Sequence, residues 1–258
     1  ASVGFEINDS RNKSIAGSTV GGLSTLDFYS LATSIDRPNV SSSRSRVKRH
    51  STFAKASIGY KNMLYLDGSA RLDWQSTASA DDNRVETLGG SLSFIFSKLI
   101  ERNDILTFGK LRASVAEAPR FPGAYANNIV YGGGTPYGSY GVQSLSATYP
   151  NPNLYGGKRS EVEVGTELKF AKNRLGLDVT YFKKVDKELP VSVTLNPATG
   201  YTSTTTNASQ QTYNGMEYTL YVNPIKSDKI NWDFNLNFAT LKRGVDKISE
   251  TSEENRLS

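Results

Sequence analysis

The sequence predicts an all-β chain that forms part of the wall of an antiparallel transmembrane β-barrel. Three observations lead to this prediction. Apolar and polar residues alternate with a period of two along much of the chain. The connections between the alternating segments are short and long by turns, and aromatic residues lie near the ends of the apolar faces. All three features are typical of membrane-spanning β-barrels.

The alternation is clearest between residues 64 and 74. One set of side chains in this segment is apolar or small: Leu64, Leu66, Gly68, Ala70, Leu72 and Trp74. The set between them is mostly polar: Tyr65, Asp67, Ser69, Arg71 and Asp73. A helix would mix the two sets on one face, whereas a strand separates them. A tilted strand needs about 9–11 residues to cross a bilayer, which is the length of this segment.

Other versions of the same pattern predict about nine strands in all. Their approximate bounds are 1–15, 44–60, 63–75, 85–99, 104–117, 159–171, 174–190, 211–225 and 230–245. The phase of the alternation slips by one residue at 108–111, which predicts a β-bulge there.

The connections are predicted to alternate strictly between short and long. The short ones lie at 60–63, 100–104, 171–174 and 225–229, and the long ones lie near 16–43, 76–84, 118–158 and 191–210. In an antiparallel sheet this order places every long loop at one end. Membrane barrels have long outer loops and short periplasmic turns. A soluble β-sandwich has no reason for such an asymmetry.

Six aromatic residues are predicted to form two girdles at the edges of the apolar faces. Those at the short-connection end are Tyr60, Phe96, Phe170 and Trp232, and those at the long-connection end are Trp74 and Tyr181. Aromatic side chains favour the boundary between hydrocarbon and water. The alternative is that these residues form the core of a soluble β-sandwich.

Nine antiparallel strands cannot close a barrel, because the first and the ninth run in the same direction. Single-chain bacterial barrels have an even number of strands. The chain already reads as strand at residues 1–7, and residues 250–258 are polar. We therefore expect residues 1–258 to be part of one barrel domain, with the remaining strands supplied by sequence outside this chain.

Composition argues against several other classes of protein. The 30 Lys and Arg residues exceed the 25 Asp and Glu residues by a net charge of only +5, and they are too scattered to suggest nucleic-acid binding. No apolar run is long enough to predict a membrane-spanning helix. The chain has no cysteine, one histidine at His50 and no G-x-S-x-G motif. We therefore expect no enzyme, with no catalytic residue, no metal site and no cofactor.

Several motifs in constant order resemble those of the SusC/RagA family of TonB-linked outer-membrane transporters. They are KLRAS at 110–114, YPNPNL at 149–154, NRLGLDVTY at 173–181, PATGY at 197–201, NGME at 214–217, NPIK at 223–226 and WDFNLNF at 232–238. The resemblance is clearest from about residue 53 to residue 245. The chain departs from the family pattern at RLDWQST (71–77) and at LGGSLS (88–93).

The resemblance implies a 22-stranded barrel filled by an N-terminal plug domain, which is absent from this sequence. It implies an outer-membrane location, in contact with lipid and lipopolysaccharide. It also implies two protein partners: a SusD-like surface lipoprotein, and TonB acting through an N-terminal region that is not in this sequence. The implied function is TonB-dependent import of oligosaccharide or peptide. The alternatives are a SusC-like barrel that serves as a structural subunit of an outer-membrane assembly, a siderophore-type TonB-dependent receptor, and a secreted β-sandwich adhesin.

Six charged residues are candidates for the barrel lumen, because they lie on the polar sides of two predicted strands. They are Asp67, Arg71, Asp73, Glu161, Glu163 and Glu167. Charges of both signs inside a barrel bond to a plug or line a wet channel. A catalytic carboxylate pair is the alternative, although nothing in the pattern positions a leaving group.

The long loop near 118–158 is rich in tyrosine, and six tyrosines are candidates for ligand contact. They are Tyr125, Tyr131, Tyr137, Tyr140, Tyr149 and Tyr155. Phenol rings on a loop can stack on sugar rings or line a peptide cleft. Alternatively, they pack the loop against itself or against the lipoprotein partner.

Three basic residues, Arg44, Arg46 and Lys48, alternate onto one face of a predicted strand, with Arg49 on the other face. They can bind lipopolysaccharide phosphates, face acidic loops from inside the lumen, or be solvated charges. A nucleic-acid surface is a further alternative that the net charge does not support.

Overall fold

The computed structural model describes residues 1–101, 104–134, 137–227 and 229–247. These residues form an all-β chain, as predicted. The strands are β1 (Ser2–Leu23), β2 (Ser34–Tyr60), β3 (Leu64–Gln75), β4 (Arg84–Phe94), β5 (Leu106–Arg120), β6 (Tyr131–Gly133), β7 (Gln143–Leu145), β8 (Thr148–Tyr149), β9 (Gly157–Phe170), β10 (Leu175–Thr194), β11 (Ser203–Lys226) and β12 (Asn231–Lys247).

Nine long strands form one antiparallel sheet in the order β1-β2-β3-β4-β5-β9-β10-β11-β12. The two-residue strand β8 pairs parallel with β11, and β6 and β7 form a separate two-stranded ribbon. Within the described residues, β1 and β12 each have one strand neighbour, so the sheet is a wall that does not close on itself. The prediction of about nine strands of an open wall is confirmed.

Among the described residues, three 3-10 helices lie in the connections, at Leu31–Thr33, Phe96–Leu99 and Pro197–Thr199. None of the helices in the described ranges is long and apolar enough to cross a bilayer.

Two strand pairs extend into segments that the sequence analysis assigned to loops. The loop predicted at 16–43 is wrong in its bounds, because β1 and β2 pair through this segment and leave a connection at 24–33. The loop predicted at 191–210 shortens to 195–202 for the same reason. The predicted loop at 118–158 corresponds to a connection at 121–156 that carries β6, β7 and β8. The extensions of β1, β2 and β11 lack the apolar alternation, and that of β10 keeps it only at Val191 and Val193, so period-two reading missed them.

The predicted strand at 85–99 ends early, at Phe94. The chain then leaves the sheet and forms the 3-10 helix at Phe96–Leu99, where the Phe96 ring lies on Gly109 of β5. The connection between β4 and β5 is therefore 95–105, and the predicted strict alternation of short and long connections fails at this point. β5 contains a bulge, but the register shift lies between Leu106 and Phe108, just before most of the predicted 108–111 segment.

The predicted girdle residues occupy different positions in the strands. Tyr60 and Phe170 end β2 and β9, and Trp232 lies at the start of β12. Trp74 lies at the end of β3, whereas Tyr181 lies well inside β10.

The two sides of the sheet differ in polarity, and the difference is the reverse of that in a soluble protein. Large apolar side chains are exposed on one side, which we call the apolar face; Leu66 is 53% exposed and Phe238 is 61% exposed. On the other side, the polar face, Ser51 and Asp73 are completely buried. A soluble sheet hides its apolar side and exposes its polar side. The exposed apolar face is what a wall in contact with lipid requires.

The apolar face also decides between the barrel and the β-sandwich predictions. Cross-strand partners share a face, and on this face Leu66 lies opposite Ile58 and Leu92. The described residues contain no second sheet packed against these side chains, since the remaining ribbon consists of β6 and β7 alone.

Candidate functional site: the polar face of the sheet

All six predicted lumen candidates lie on the polar face. In β3, Asp67, Arg71 and Asp73 alternate with the apolar residues, and in β9 Glu161, Glu163 and Glu167 do the same. The two groups are separated by β4 and β5, so they do not form one cluster. That this face lines a lumen remains a prediction.

The first cluster surrounds the buried carboxylate of Asp73. The Ser51 hydroxyl donates to Asp73 Oδ1 at 2.6 Å, and Arg71 Nε donates to the same carboxylate at 3.0 Å. Arg71 Nη2 donates to Glu6 Oε2 of β1 at 2.9 Å. Arg71 therefore ties three adjacent strands together, which offsets the cost of burying the Asp73 charge.

Phe53 packs within the same cluster, on the polar face of β2. Its ring lies over Gly4 of β1, where an added Cβ would come within 2.4 Å of Phe53 Cζ. The Arg71 guanidinium carbon lies 5.9 Å from the centre of the Phe53 ring. A glycine in β1 is therefore needed for this ring to lie flat against the sheet.

The second cluster joins strands that are not neighbours in the sheet. Arg112 of β5 donates through Nη1 and Nη2 to the two oxygens of Asp178 in β10, at 2.7 and 2.6 Å. Arg112 Nη2 also donates to the Thr180 hydroxyl at 2.6 Å. The side chain crosses β9 above Gly165, where an added Cβ would lie 2.9 Å from Arg112 Nε. Two parallel hydrogen bonds of this kind fix the relative orientation of the two side chains in addition to pairing their charges.

The third cluster lies closer to the long-connection end of β9 and β10. Arg159 donates through Nε and Nη2 to the nearly buried Asp186 carboxylate, at 2.6 and 2.5 Å. Lys184 Nζ lies 2.9 Å from Glu161 Oε1. These ion pairs use the same alternating positions as the clusters above.

Sequence reading found some of these residues and missed others. It placed Arg71 and Asp73 correctly on one face, but it did not identify their partners Glu6 and Ser51. It also missed Arg112, because the bulge near the start of β5 hides the phase of that strand. Asp67 lies apart from the Asp73 cluster and accepts a hydrogen bond from Ser91 at 3.1 Å.

The long connection at 121–156 returns over the polar face. Leu154 is completely buried, and the Leu154 carbonyl accepts a hydrogen bond from the Ser79 backbone at 2.6 Å. Gly156 lies against Val85 and Phe121, where an added Cβ would come within 2.4 and 2.9 Å of their side chains. Val85 is the register partner of Asp73, which places this small apolar core on the polar face.

The structure distributes the six candidate tyrosines along this connection. Tyr131 lies on β6, and Tyr137 and Tyr140 pair with each other in a single bridge. Tyr137 and Tyr140 are 82% and 75% exposed. Tyr149 lies on β8, and its ring meets the Tyr201 ring edge-on with 5.1 Å between the centroids. Ligand contact by these rings remains a prediction.

The last two tyrosines, Tyr125 and Tyr155, are distinguished by their backbone geometry and backbone hydrogen bonds. Tyr125 adopts a positive φ of 63°. Tyr155 is held to β11, because its N–H donates to Asn207 Oδ1 at 3.2 Å and its carbonyl accepts from Asn207 Nδ2 at 3.0 Å. Asn207 thus anchors the end of the long connection.

Arg44, Arg46 and Lys48 lie on the side of β2 that carries the apolar face, not on the polar face. The register pairs His50 with Trp74, and the even-numbered residues of β2 continue that side. The interpretation that they face acidic loops from inside the lumen is therefore not supported by the register. Arg49 lies on the polar face, with its Nε 4.0 Å from Asp73 Oδ1.

Comparisons with known proteins agree with this architecture. A sequence model of the family described as TonB dependent receptor-like, beta-barrel matches residues 3–258. The chain is 24% identical over 218 residues to TonB-dependent receptor P26 of Formosa agariphila, which covers 79% of this chain and 22% of that protein.

Solved structures have the same fold. The RagAB peptide importer in its closed-closed state matches 99% of this chain and 29% of the other chain, with a TM-score of 0.79 and 19% identity. The siderophore receptor PirA of Pseudomonas aeruginosa matches 79% of this chain and 36% of the other, with a TM-score of 0.54 and 20% identity.

The chain spans about a fifth to a third of the length of these relatives. The resemblance to TonB-linked transporters noted in the sequence is confirmed at the level of the family. Since the family model covers nearly the whole chain and the open antiparallel wall matches solved barrels, this chain belongs to the TonB-dependent receptor-like β-barrel family of outer-membrane receptors and transporters and forms part of such a barrel.

Proposed function

We propose that the protein containing this chain imports an oligosaccharide or a peptide across the outer membrane, with energy delivered by TonB. The observation that carries the proposal is the combination of an exposed apolar face with a polar face of paired charges. A wall with these two sides separates lipid from a wet or plug-filled interior.

The polar face would hold the plug domain. Arg71, Asp73 and Glu161 present charges of both signs along the wall, as do Asp67, Glu163 and Glu167. Because many of these charges are already paired within the wall, they offer hydrogen bonds to a plug without leaving a large net charge in the interior. This arrangement suits a docking surface better than general acid–base catalysis.

The tyrosine-rich connection at 121–156 would contact the ligand. Its anchors at Leu154 and Tyr155 hold its end over the polar face, while the rings of Tyr137 and Tyr140 remain exposed. Aromatic rings that are exposed on an anchored loop can stack on sugar rings or on peptide side chains.

A SusD-like surface lipoprotein would capture the ligand, and TonB would act through a region outside this chain. Support comes from the motifs shared with SusC-like transporters. Further support comes from the close agreement of the wall with the RagAB structures, which are of a peptide importer.

The test uses the full-length protein in its native host. Uptake of labelled oligosaccharides, labelled peptides and ferric siderophores is compared between cells with the intact protein and cells in which the TonB-contacting segment is deleted. We expect uptake of one sugar or peptide class that the deletion abolishes, together with co-purification of a surface lipoprotein.

The same assay separates the alternatives. Uptake confined to ferric siderophores would assign the protein to the siderophore-type receptors. Normal assembly in the membrane with no TonB-dependent uptake of any ligand would assign it a structural role. Either result would contradict the proposal.

A further inference from the structure

The hairpin of β1 and β2 carries a concentration of positive charge beyond the end of β3. Five cations lie on one side of the hairpin: Arg11, Lys13, Arg44, Arg46 and Lys48. We call them the hairpin patch. The register places Lys13 opposite Arg44 and Arg11 opposite Arg46, so like charges face each other across the ladder. Such pairs are destabilising unless an anion lies between or above them.

The hairpin patch is continuous with the apolar face of the sheet. Ile7 pairs with His50, and His50 pairs with Trp74, which forms one row across β1, β2 and β3. The next residues on the same side of β2 are Lys48, Arg46 and Arg44, and all three are exposed.

Between residues 10–14 and 43–47, the opposite side of the hairpin carries no charge. Its paired residues are Ser10 with Val47, Asn12 with Ser45, and Ser14 with Ser43. Over this stretch the positive charge lies on the side that carries the apolar face. The next cation on the opposite side is Arg49, which lies beside Asp73. A solvated hairpin has no reason to sort its charges in this way.

The level of the patch matches that of lipid headgroups. Lys48 and Arg44 lie two and six residues beyond His50. At about 3.3 Å per residue and a tilt of about 45°, these positions are roughly 5 to 14 Å further from the bilayer centre than the row of Ile7, His50 and Trp74. Phosphate groups of an outer leaflet lie just beyond the hydrocarbon, within this range.

Internal partners satisfy only part of the patch. Asp9 accepts from Arg46 Nε and Nη2 at 2.8 and 2.5 Å, and from Arg11 Nη2 at 3.2 Å. Within the described part of the chain, no carboxylate lies within ion-pair distance of Lys13, Arg44 or Lys48.

A concavity of about 330 Å³ opens on the same side, below the patch and within the apolar region. Val3, Ala54, Ala70 and Leu88 line it, and they form one register row across β1 to β4. Thr52 and Glu86 line its edge toward the patch. The two alanines of this row leave space that an acyl chain can fill. An apolar concavity below a cationic patch fits a ligand with a charged head and a hydrocarbon tail.

We propose that the hairpin patch binds the phosphate groups of an outer-leaflet glycolipid, such as the lipid A part of lipopolysaccharide, whose acyl chains lie along the concavity. The inference rests on the outer-membrane placement of the barrel and not on its transported ligand. Lysine and arginine near an anionic leaflet strengthen membrane attachment, and the effect weakens as salt screens it.

The test measures the affinity of the purified full-length protein for lipid A with and without its phosphates. The protein in phosphatidylcholine nanodiscs is titrated with bisphosphorylated lipid A, and in parallel with the same lipid after its phosphates are removed. We expect lipid A to bind at least tenfold more tightly than the dephosphorylated lipid, and we expect high salt to abolish the difference. Equal affinity for the two lipids would overturn the proposal.

A double variant, Lys13→Gln with Lys48→Gln, should weaken lipid A binding about tenfold. The matched control, Asn12→Glu with Ser43→Glu, changes the charge of the hairpin by the same amount on the opposite side. We expect the control to bind lipid A nearly as the parent does, and an equal loss in both variants would contradict a sided patch. Folding of each variant is checked by heat-modifiable mobility, and the comparison of the two lipids on the parent stands if a variant does not fold. Because the readout is lipid binding, failure of the proposed import leaves this test unaffected.

Discussion

Arg112 and Asp178 are joined by a two-pronged ion pair that passes over an intervening strand. Their side chains start from β5 and β10, and the guanidinium reaches both carboxylate oxygens at 2.7 and 2.6 Å. Gly165 of β9 makes this possible, because any larger residue would occupy the path of the guanidinium. The wall is therefore held by side-chain bonds across three strands in addition to the backbone ladder.

The first prediction concerns Gly165. Gly165→Val should push the guanidinium away from Asp178 and lower the free energy of unfolding by about 1–3 kcal/mol, since a charged group on the polar face loses its partner. The control is Gly68→Val on the apolar face, where an added Cβ meets nothing within 4 Å. Urea unfolding of the full-length barrel in lipid vesicles measures both. A similar decrease in the free energy of unfolding in both variants would contradict the claim that Gly165 leaves space for the Arg112 guanidinium.

The second prediction tests the assignment of the two faces. Ala70→Arg places a charge on the apolar face near the middle of β3 and should cost about 2–4 kcal/mol of stability in a bilayer. The control is Ser91→Arg. Ser91 lies on the polar face beside Asp67, and the Asp67 carboxylate accepts a hydrogen bond from the Ser91 hydroxyl. The new arginine there gains an acidic partner, so we expect a change below about 1 kcal/mol. The same unfolding assay decides, and equal destabilisation would show that the faces are assigned incorrectly.

These faces are also the part of the fold that sequence reading predicted best. In β3 successive side chains lie by turns on the apolar face and on the polar face, and the sequence shows this as strict alternation. The strand segments of β1 and β2 within 16–43 lie beyond the row of Trp74 and have no such alternation, so the sequence did not predict them as strands. In β4 the apolar spacing of Leu92, Phe94 and Phe96 continues into the 3-10 helix, so the pattern could not show where the strand ends.

The ion pairs could not be predicted from the sequence for a different reason. Arg112 and Asp178 are 66 residues apart, and their strands are not neighbours in the sheet. Period-two reading assigns each residue to a side but gives no partner across the sheet. The position of Gly165 and the strand register supply that information, and the register of β5 against β9 shifts at the bulge near the start of β5.

The third prediction concerns Asp9, the carboxylate that pairs with two arginines of the hairpin patch. Hydrogen bonds from Arg46, and then from Arg11, hold the pKa of the Asp9 carboxyl well below its ordinary value of 3.8. A carboxyl with a lowered pKa stabilises the folded state above its ordinary pKa, and this contribution is lost as the pH falls through the lowered value. We therefore expect the pair to persist from pH 7 down to about 4. The Tyr125 phenol also lies near Arg46.

The measurement is the affinity of the protein for bisphosphorylated lipid A between pH 7 and about 4, the range in which the pair should persist. Asp9→Asn should increase this affinity severalfold at pH 7, because it frees Arg46 and Arg11 for the lipid phosphate. Asp82→Asn, at an exposed position in the connection between β3 and β4, is the control and should change little. Weaker lipid binding by the Asp9 variant would mean that Asp9 positions the arginines rather than competing for them.

The fourth prediction concerns the anchor of the long connection. Asn207 accepts from the Tyr155 N–H, and its amide donates to the carbonyls of Tyr155 and Glu188 at 3.0 and 2.8 Å. Asn207→Ala removes all three bonds at once, and each is worth about 0.5–1.5 kcal/mol. The end of the connection should then detach from β11, and proteolytic cleavage within 121–156 should become faster.

Limited proteolysis of the full-length protein in lipid vesicles, followed by mass spectrometry of the fragments, measures this effect. Asn39→Ala in the hairpin is the matched control, because Asn39 pairs with Ser18 through the backbone and its side chain is exposed. If ligand capture depends on an anchored connection, the Asn207 variant should also take up less ligand than the Asn39 variant does. Faster cleavage with unchanged uptake would separate the position of the connection from its proposed role in ligand contact.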